Sequence, residues 1–307
     1  MKKVSLVLTI LNENESIESL IESLARQSKK PDEIIFIDAG STDGTIDRIR
    51  KVQEENRRIR LLVEPGANRS RGRNVGIQRA HGPIIALTDG GCRPKKDWLK
   101  KLTTPFANKE VDVVGGFYLP EGDSLFQKSL SVYTCARKHQ VHTKTFLPAS
   151  RSLAFRKRIW KQVGGFPEEL NTCEDRVFVQ RLQDAGAKFA TAPEAIVYWE
   201  QKKTLREAFL QLYGYAKGDM EAQYFPHVLR IGSVWLRYLL AGSFLLSFPL
   251  LLLFFLPQYL AWVIGKGYMV VNDKRALYML PLMQLTADLA VLSGSLAGMI
   301  SKKRVLQ

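Results

Sequence analysis

Short, continuously apolar runs alternate with amphipathic stretches over the first 120 residues. Val4–Leu11, Ile34–Asp38, Ile59–Glu64, Ile84–Thr88 and Val111–Phe117 have the length and β-branched content of strands. Between them, Glu15–Ser28, Thr45–Glu55, Ser70–Ala80 and Asp97–Phe106 read as helices. Strands apolar at successive positions are buried on both faces, so the alternation predicts an α/β fold with a mostly parallel sheet. Lys2 and Lys3 ahead of Val4–Leu11 resemble a secretory leader, but Asn12-Glu13-Asn14-Glu15 follows with no small-residue cleavage site. The run is therefore read as a buried strand.

The far end of the chain has a different pattern. Tyr238–Gly265 is a stretch of 28 residues without Asp, Glu, Lys, Arg or His, longer than the ~20 residues a helix needs to cross hydrocarbon. Pro249 and Pro257 inside it predict one kinked span or a re-entrant pair. Ala276–Ser301 is a second candidate, with Asp288 as its single charge. Arg230 and Arg237 before the first span and Lys302-Lys303-Arg304 after the second suggest a hairpin with both ends in the cytosol, although Lys266, Lys274 and Arg275 in the connection oppose it. The division expected is a domain over 1–230, with halves at about 1–118 and 119–230, then a membrane region over 231–307 with about two helices, at about 238–264 and 276–301. Asp288 is read first as a hydrogen-bond partner of Gln284 one turn earlier, and second as a functional group. Thr204–Lys217 forms an amphipathic helix that either lies on the cytosolic leaflet or packs on the catalytic domain.

Composition narrows the classes. The 307 residues are 46% apolar and 24% charged, which excludes a disordered tail, a collagen or a disulfide miniprotein. The formal charge of +15 suits nucleic acid, yet the basic residues are scattered and many flank the apolar spans, so no nucleic-acid partner is expected. Cys92, Cys135 and Cys173 are widely spaced and form no C-x-x-C pair, which suits a reducing cytosol. His139 and His142 have metal-compatible spacing but are read as incidental.

In parallel α/β sheets, ligands bind beyond the carboxyl ends of the strands, and here those ends are polar. The first strand runs into Asn12-Glu13, the second into Asp38-Ala39-Gly40-Ser41-Thr42-Asp43-Gly44-Thr45, and the fourth into Asp89-Gly90-Gly91-Cys92. Glu13, Asp38 and Asp89 have the chemistry to bond a nucleoside or hold a divalent metal bridging phosphates, whereas Ser41 and Asp43 are turn and cap residues. Arg69-Ser70-Arg71-Gly72-Arg73-Asn74 opens a helix, where backbone N–H groups and guanidinium ions attract a diphosphate. Neither G-x-G-x-x-G after the first strand nor a P-loop occurs, which argues against dinucleotide oxidoreductases and P-loop NTPases. Glu174-Asp175 begins another helix, and a carboxylate there is a candidate general base, or simply complements the helix dipole.

Taken in order, Ile10-Leu11-Asn12-Glu13, Ile37-Asp38-Ala39-Gly40-Ser41-Thr42-Asp43-Gly44-Thr45, Gly72-Arg73-Asn74-Val75-Gly76, Ala86-Leu87-Thr88-Asp89-Gly90-Gly91, Gly164-Gly165-Phe166 and Glu174-Asp175 resemble the family-2 glycosyltransferases of GT-A fold over about residues 4–200. The resemblance implies a GT-A catalytic domain followed by a C-terminal α-helical transmembrane segment. It implies transfer of a sugar from a nucleotide-diphosphate sugar, usually with inversion, to a lipid-linked or cell-envelope glycan acceptor at the inner (cytoplasmic) membrane. By the same resemblance Asn12, Glu13, Asp38, Arg73, Asn74 and Asp89 bind the donor, Asp175 takes the acceptor proton and Glu174 supports it.

Asp89 matches the first acid of the family's D-x-D motif, which holds ribose and Mg²⁺ or Mn²⁺. Gly91 replaces the last acid, so Arg93 or the Arg69–Arg73 cluster is an alternative stabiliser of the leaving diphosphate. Tyr198-Trp199-Glu200-Gln201 stands where processive synthases carry Q-x-x-R-W, which favours single addition. A catalytically degenerate membrane scaffold that binds nucleotide or glycan is the alternative.

Overall fold

The computed structural model describes residues 3–136 and 147–301, so His139, His142, Lys2 and Lys302–Arg304 lie outside the described residues. The chain forms two compact units, one from Met1–Leu119 with Ala136–Glu200 and one from Pro120–Cys135 with Gln201–Gln307. These units divide the chain differently from a boundary near 230, since a helix from the middle of the chain joins the C-terminal helices.

In the first unit, strands β1 (Val4–Ile10), β2 (Glu33–Asp38), β3 (Ile59–Val63) and β4 (Ile84–Asp89) are parallel neighbours in the order β3-β2-β1-β4. Every residue of β2 is buried, as its unbroken apolar run requires. Helices α1 (Ile17–Ala25), α2 (Thr45–Glu55) and α3 (Arg69–Arg79) connect these strands. Beyond β4 the sheet becomes mixed. The short β5 (Cys92–Pro94) and helix α4 (Trp98–Thr103) lead to β6 (Val113–Glu121), β7 (Leu153–Arg156), α6 (Lys157–Gln162), α7 (Glu174–Asp184) and β8 (Phe189–Glu200), with α5 (Leu125–Thr134) between β6 and β7 in sequence. β7 is antiparallel to both β4 and β6, and β5 is antiparallel to β8, giving the full order β3-β2-β1-β4-β7-β6-β8-β5.

Register places the polar ends together. Ile10 pairs with Asp38 and Thr9 with Asp89, so both aspartates stand at the same edge of three adjacent strands. Helix α3 is drawn onto this sheet by two glycines one turn apart. A Cβ on Gly72 would lie 2.8 Å from Thr9 Cγ2, and one on Gly76 only 2.4 Å from Ile37 Cδ1 and 2.6 Å from Val7 Cγ1. The core below the site gathers Val7, Ile37, Ile77, Leu87, Phe155, Phe166 and Phe178 from the sheet, α3, α7 and the loop before α7.

The opposite edge is clamped by Glu33, whose carboxylate accepts the Ser5 hydroxyl at 2.6 Å and the His81 amide at 2.5 Å, and pairs with Arg60 at 3.2 Å. Burial alone would raise this carboxyl, but the bonds from Ser5 and from the His81 amide and ring hold it at about 2, against an ordinary 4.5. Because the folded value lies below the unfolded one, the stabilisation is present above the ordinary value and lost as pH falls through the depressed one. Glu33→Gln is expected to cost about 2 kcal/mol at neutral pH. Urea unfolding at about pH 7 and about pH 3 checks this: the deficit should shrink at the lower pH, and an equal deficit at both would refute the assignment.

The second unit is helical. Helix α8 (Leu205–Glu221) starts from a capping box between Thr204 and Glu207 and is followed by α9 (Phe225–Ser247), α10 (Pro249–Val271) and α11 (Ala276–Ile300). Among the described residues three helices, α9, α10 and α11, are long and apolar enough to cross a membrane, where the sequence suggests about two in a hairpin. The charge-free stretch 238–265, expected as one kinked span or a re-entrant pair, is divided between the end of α9 and most of α10. Phe248 adopts φ −143° and ψ 64°, ending α9, and Pro249 opens α10 at its first turn. Proline forces the preceding residue out of helical geometry while suiting the first helical position, hence the break. Pro257 stays inside α10.

Helix α8 packs within the second unit. Its Ala208 and Leu212 pack with Leu130 of α5 and with Met283, Ala287 and Ala290 of α11. Close approach comes again from glycine: a Cβ on Gly294 would stand 2.3 Å from the Tyr213 carbonyl oxygen, and one on Gly298 2.5 Å from that of Lys217. Asp288 is 2% exposed. It accepts from Gln284 at 2.8 Å, as the sequence reading expects, and also from Arg237 and from the Tyr238 and Tyr259 hydroxyls at 3.1 and 3.0 Å. One carboxylate thus ties α9, α10 and α11 together.

Candidate active site

Arg73 is the centre of the site. It sits on the first turns of α3, and its side chain is 3% exposed. Its Nη2 donates to Asp89 Oδ1 at 2.9 Å and its Nη1 to Glu174 Oε1 at 2.7 Å, with the guanidinium 5.3 Å from the Phe166 ring centre. One fork therefore joins the end of β4 to the start of α7, which suits the five fixed donors of a guanidinium. Burial works against the charge of Arg73, but Asp89 and Glu174 outweigh it and raise its pKa.

The two carboxylates respond in opposite directions. Burial opposes ionisation of Asp89, yet Arg73, Arg151 and Arg69 together hold its carboxyl below the usual range. For Glu174 burial dominates and pushes the carboxyl up; Arg73 and Arg69 pull against this, and the adjacent Asp175 adds to the rise. Such separation between neighbouring acids is typical of sites that move protons. Asp175 Oδ2 accepts the Ser150 amide at 3.4 Å. Both acids follow Cys173, whose φ of +65° is unusual for a residue bearing a Cβ and sets the direction of the first turn of α7.

The remaining candidates are arranged around this core. The Glu13 side chain lies against the turn after Asp89, since a Cβ on Gly90 would meet Glu13 Oε1 at 2.8 Å, and its carboxylate accepts the Ser16 hydroxyl. Asp38 is fully buried and spends its carboxylate on its own loop, accepting Gly40 and Ser41 amides at 2.8 and 2.6 Å and the Ser41 hydroxyl at 2.7 Å. Asn12, at φ +54°, is stitched to the same loop through the Ser41 hydroxyl at 2.8 Å and the Thr42 amide at 3.0 Å. These two residues shape the platform at the strand ends. Asp43 caps, as its sequence suggests, accepting the Asn14 and Thr45 amides.

Asn74 is not brought to the others. Its carboxamide oxygen accepts from Trp160 Nε1 at 3.0 Å and the Phe166 amide at 2.9 Å, while its nitrogen donates to the Phe166 carbonyl and to Glu168. It clamps the Gly164-Gly165-Phe166 loop against α3. Of the arginines ahead of it, Arg69 is near enough to act on both Asp89 and Glu174, whereas Arg71 turns to Glu64 at 3.9 Å.

Arg151 is a site residue that the sequence reading misses. Its guanidinium lies 3.7 Å from the centre of the Trp199 ring and 5.2 Å from that of Tyr118. Trp199 is the register partner of Cys92, and the Glu200 amide donates to the Gly91 carbonyl at 3.3 Å, so this stack stands beside the turn that carries Asp89. The charge of Arg151 acts on Asp89 and on Cys92, on either side of Gly91. Burial and Asp89 push the Cys92 thiol up to about 12, which leaves it an inert core group. Arg93 pairs in register with Tyr198 and stacks on it at 4.7 Å, on the other face of this strand pair.

One strand-end carboxylate, that of Asp89, has the chemistry of a ligand for a divalent cation. Among the described residues no three His, Cys, Asp or Glu side chains gather to hold one. At the strand end Asp89 is bound to Arg73, and Gly91 offers no ligand. Open space surrounds Gly91, with no heavy atom within 4 Å of where its Cβ would be.

The model of glycosyl transferase family 2 matches residues 5–164. Glycosyltransferase AglE of Haloferax volcanii is 29% identical over 199 residues, covering 63% of this chain and 65% of that protein, so the alignment spans slightly under two thirds of that relative. The O-antigen chain rhamnosyltransferase RfbN of Salmonella typhimurium is 24% identical over 223 residues, 69% of this chain and 70% of the relative. Among solved structures, the mannosyltransferase PcManGT from Pyrobaculum calidifontis, in complex with GDP-Man and Mn²⁺, superposes with a TM-score of 0.64 at 19% identity, over 98% of this chain and 88% of that one. That likeness shows a shared fold, a GT-A sheet domain.

Proposed function

The chain belongs to glycosyl transferase family 2, and from that premise we propose that it is an inverting, single-addition transferase. The donor is a nucleotide-diphosphate sugar, and the acceptor is a lipid-linked or cell-envelope glycan reached at the cytosolic face of the membrane. The observation that carries this reading is the bridging of Asp89 and Glu174 by Arg73, at 2.9 and 2.7 Å. It joins the strand end that faces a donor to the helix start that carries a base.

The reaction follows from the placement. The loops after β1 and β2, built by Asn12, Glu13 and Asp38, receive the nucleoside, and the diphosphate lies toward the arginines near Asp89. The acceptor hydroxyl oxygen attacks the anomeric carbon from the side opposite the diphosphate. As that C–O bond forms, the bond to the phosphate oxygen breaks and its electron pair leaves with the nucleoside diphosphate. Asp175 takes the acceptor proton, while Glu174, fixed by Arg73, sets the first turn of α7 that aims it. Membrane association is supported by the three apolar helices of the second unit. One named relative is an O-antigen chain rhamnosyltransferase, in keeping with a glycan acceptor. Against the scaffold reading, Asp89 and Glu174 are joined by Arg73 and Asp175 adjoins them, although Gly91 stands in place of one acid.

Purified full-length protein in detergent, incubated with a panel of nucleotide sugars, is expected to release nucleoside diphosphate. Asp175→Asn should slow that release about a hundredfold or more, the range for loss of a general base, without weakening donor binding. Undiminished turnover in Asp175→Asn, or a product that keeps the donor's anomeric configuration by NMR, would rule the proposal out.

A further inference from the structure

Within the first unit, helices α3 and α6 and the Gly164-Gly165 loop border a cleft of 370 Å³. That volume falls in the range of small-molecule sites, about 300–1,000 Å³. Asp38, Asp89, Glu174 and Asp175 do not line it, whereas Asn74, Gln78, Trp160, Lys161 and Glu168 do. Gly164 and Gly165 leave room. They adopt φ of +75° and +81°, backbone that a side chain would strain, and a Cβ on Gly164 would meet nothing within 4 Å. Asn74 holds this loop to α3 through both backbone groups of Phe166, so the wall is anchored.

Trp160 supplies apolar surface. Its ring N–H is spent on Asn74 Oδ1 at 3.0 Å, the residue packs against the sheet core, and it remains only half-buried. Among the described residues no aromatic ring or cation stacks on it, in contrast to Phe166 and Trp199. The polar ends nearby are open as well. Among the described residues the Gln78 carboxamide and the Lys161 ammonium have no hydrogen bond or ion pair, and Glu168 gives one carboxylate oxygen to Asn74 and keeps the other.

This lining selects a ligand class. The charges of Lys161 and Glu168 cancel, so a phosphate or other anion finds no net attraction. A wholly apolar ligand would strip water from an amide, an ammonium and a carboxylate without replacing the lost bonds. A pyranose suits both features: the C–H groups of one face lie against the electron-rich indole, and hydroxyls at the rim both donate and accept.

We propose that this cleft is a carbohydrate-binding site separate from the transfer site, taking a neutral sugar unit with its apolar face on Trp160 and its hydroxyls on Gln78, Lys161 and Glu168. Its role is to hold glycan, acceptor or product, on the protein. That role rests on the transferase reading above; the binding itself does not.

Saturation-transfer NMR on the full chain, in a detergent without a sugar headgroup, tests the assignment with methyl α-mannoside, methyl α-rhamnoside, methyl β-glucoside and N-acetylglucosamine. At least one of these should receive saturation at its ring C–H protons. Trp160→Ala and Gln78→Ala should each weaken that sugar at least about fivefold, as for losing one stacking or hydrogen-bond contact, and Asp175→Asn should leave it unchanged. Should Trp160→Ala fail to fold, Gln78→Ala and Lys161→Ala decide, since both side chains are exposed on helix surfaces.

Failure of every sugar to receive saturation overturns the proposal. So does binding that ignores the Trp160, Gln78 and Lys161 variants, or that Asp175→Asn removes, since the sugar would then occupy the transfer site. Release of nucleoside diphosphate from nucleotide sugars, measured separately, keeps a failure of the transferase reading distinct from a failure of this one.

Discussion

Replacing Arg73 with methionine is expected to remove about 3–5 kcal/mol of folding stability at neutral pH and to abolish nucleotide-sugar turnover. The side chain is 3% exposed and its two partners, Asp89 and Glu174, are 24% and 7% exposed. Without it two carboxylates face each other in a poorly solvated site, and Glu174 already sits above its ordinary range. Each then titrates higher in the folded than in the unfolded chain. The folded variant binds more protons, so its deficit should shrink as the pH is lowered from about 8 to about 5.

Asp89 in the wild type behaves in the opposite way. Its depressed carboxyl contributes stability that is lost on acidification. Denaturant unfolding at the two pH values reads both trends. A variant as stable as the wild type at the higher pH would mean that Arg73 does not carry the site. Arg73→Lys should fall between, since one ammonium cannot hold two carboxylates in fork geometry.

The second large effect is expected at Gly76. On helix propensity alone, Gly76→Ala should stabilise α3 by up to about 1 kcal/mol. The sheet reverses that sign, because a Cβ would stand 2.4 Å from Ile37 Cδ1 and 2.6 Å from Val7 Cγ1, both buried core atoms. Gly76→Ala is expected to cost about 1–3 kcal/mol, and Gly76→Leu about 3 kcal/mol or more, as overpacking lifts α3 from the sheet. Because Arg73 lies on the same helix, Gly76→Leu should also pull it from Asp89 and Glu174, lowering donor affinity in whatever fraction remains folded. Gly91→Ala is the control, with nothing near its Cβ position. Thermal melts followed by circular dichroism separate the three, and a Gly76→Ala that melts higher than the wild type would show that the helix and sheet have slack.

These glycines mark how far the site was readable in advance. The parallel strands β1 to β4 stand out as unbroken apolar runs, and an acid directly after such a run must emerge at the sheet edge, which is why Asp89 was legible. The motif around Gly72 and Gly76 was visible as a pattern, but its physical reason, close approach of α3 to Val7, Thr9 and Ile37, depends on the register of β1 against β2. Asp38 and Asn74 were harder, because an acid or amide at a strand end or helix start serves a loop as readily as a ligand. Their partners, Ser41 and Phe166, decide between these uses.

Arg151 was not legible at all. It follows Ser150 in a short polar stretch, and its partner Trp199 arrives through pairing of strands far apart in sequence. The span expected at about 276–301 coincides with α11, whereas charge hides the start of α9. His227, Arg230 and Arg237 hide the first half of α9, and Arg237 is tolerated there because Asp288 of α11 meets it.

That last pairing also bears on how the chain is made. Arg237 and Asp288 are 51 positions apart, on the first and last of the apolar helices. At ribosomal speed the arginine emerges about 3 to 10 seconds before its partner. During that interval α9 carries a charge whose burial in hydrocarbon costs about 2.5–3.5 kcal/mol, and α10 supplies the Tyr259 hydroxyl, but no carboxylate, to the eventual cluster. If the three helices span a membrane as proposed, their integration is expected to be a late, joint event, completed when α11 is synthesised, and a ribosome stalled before Asp288 should leave α9 extractable from the bilayer by alkali.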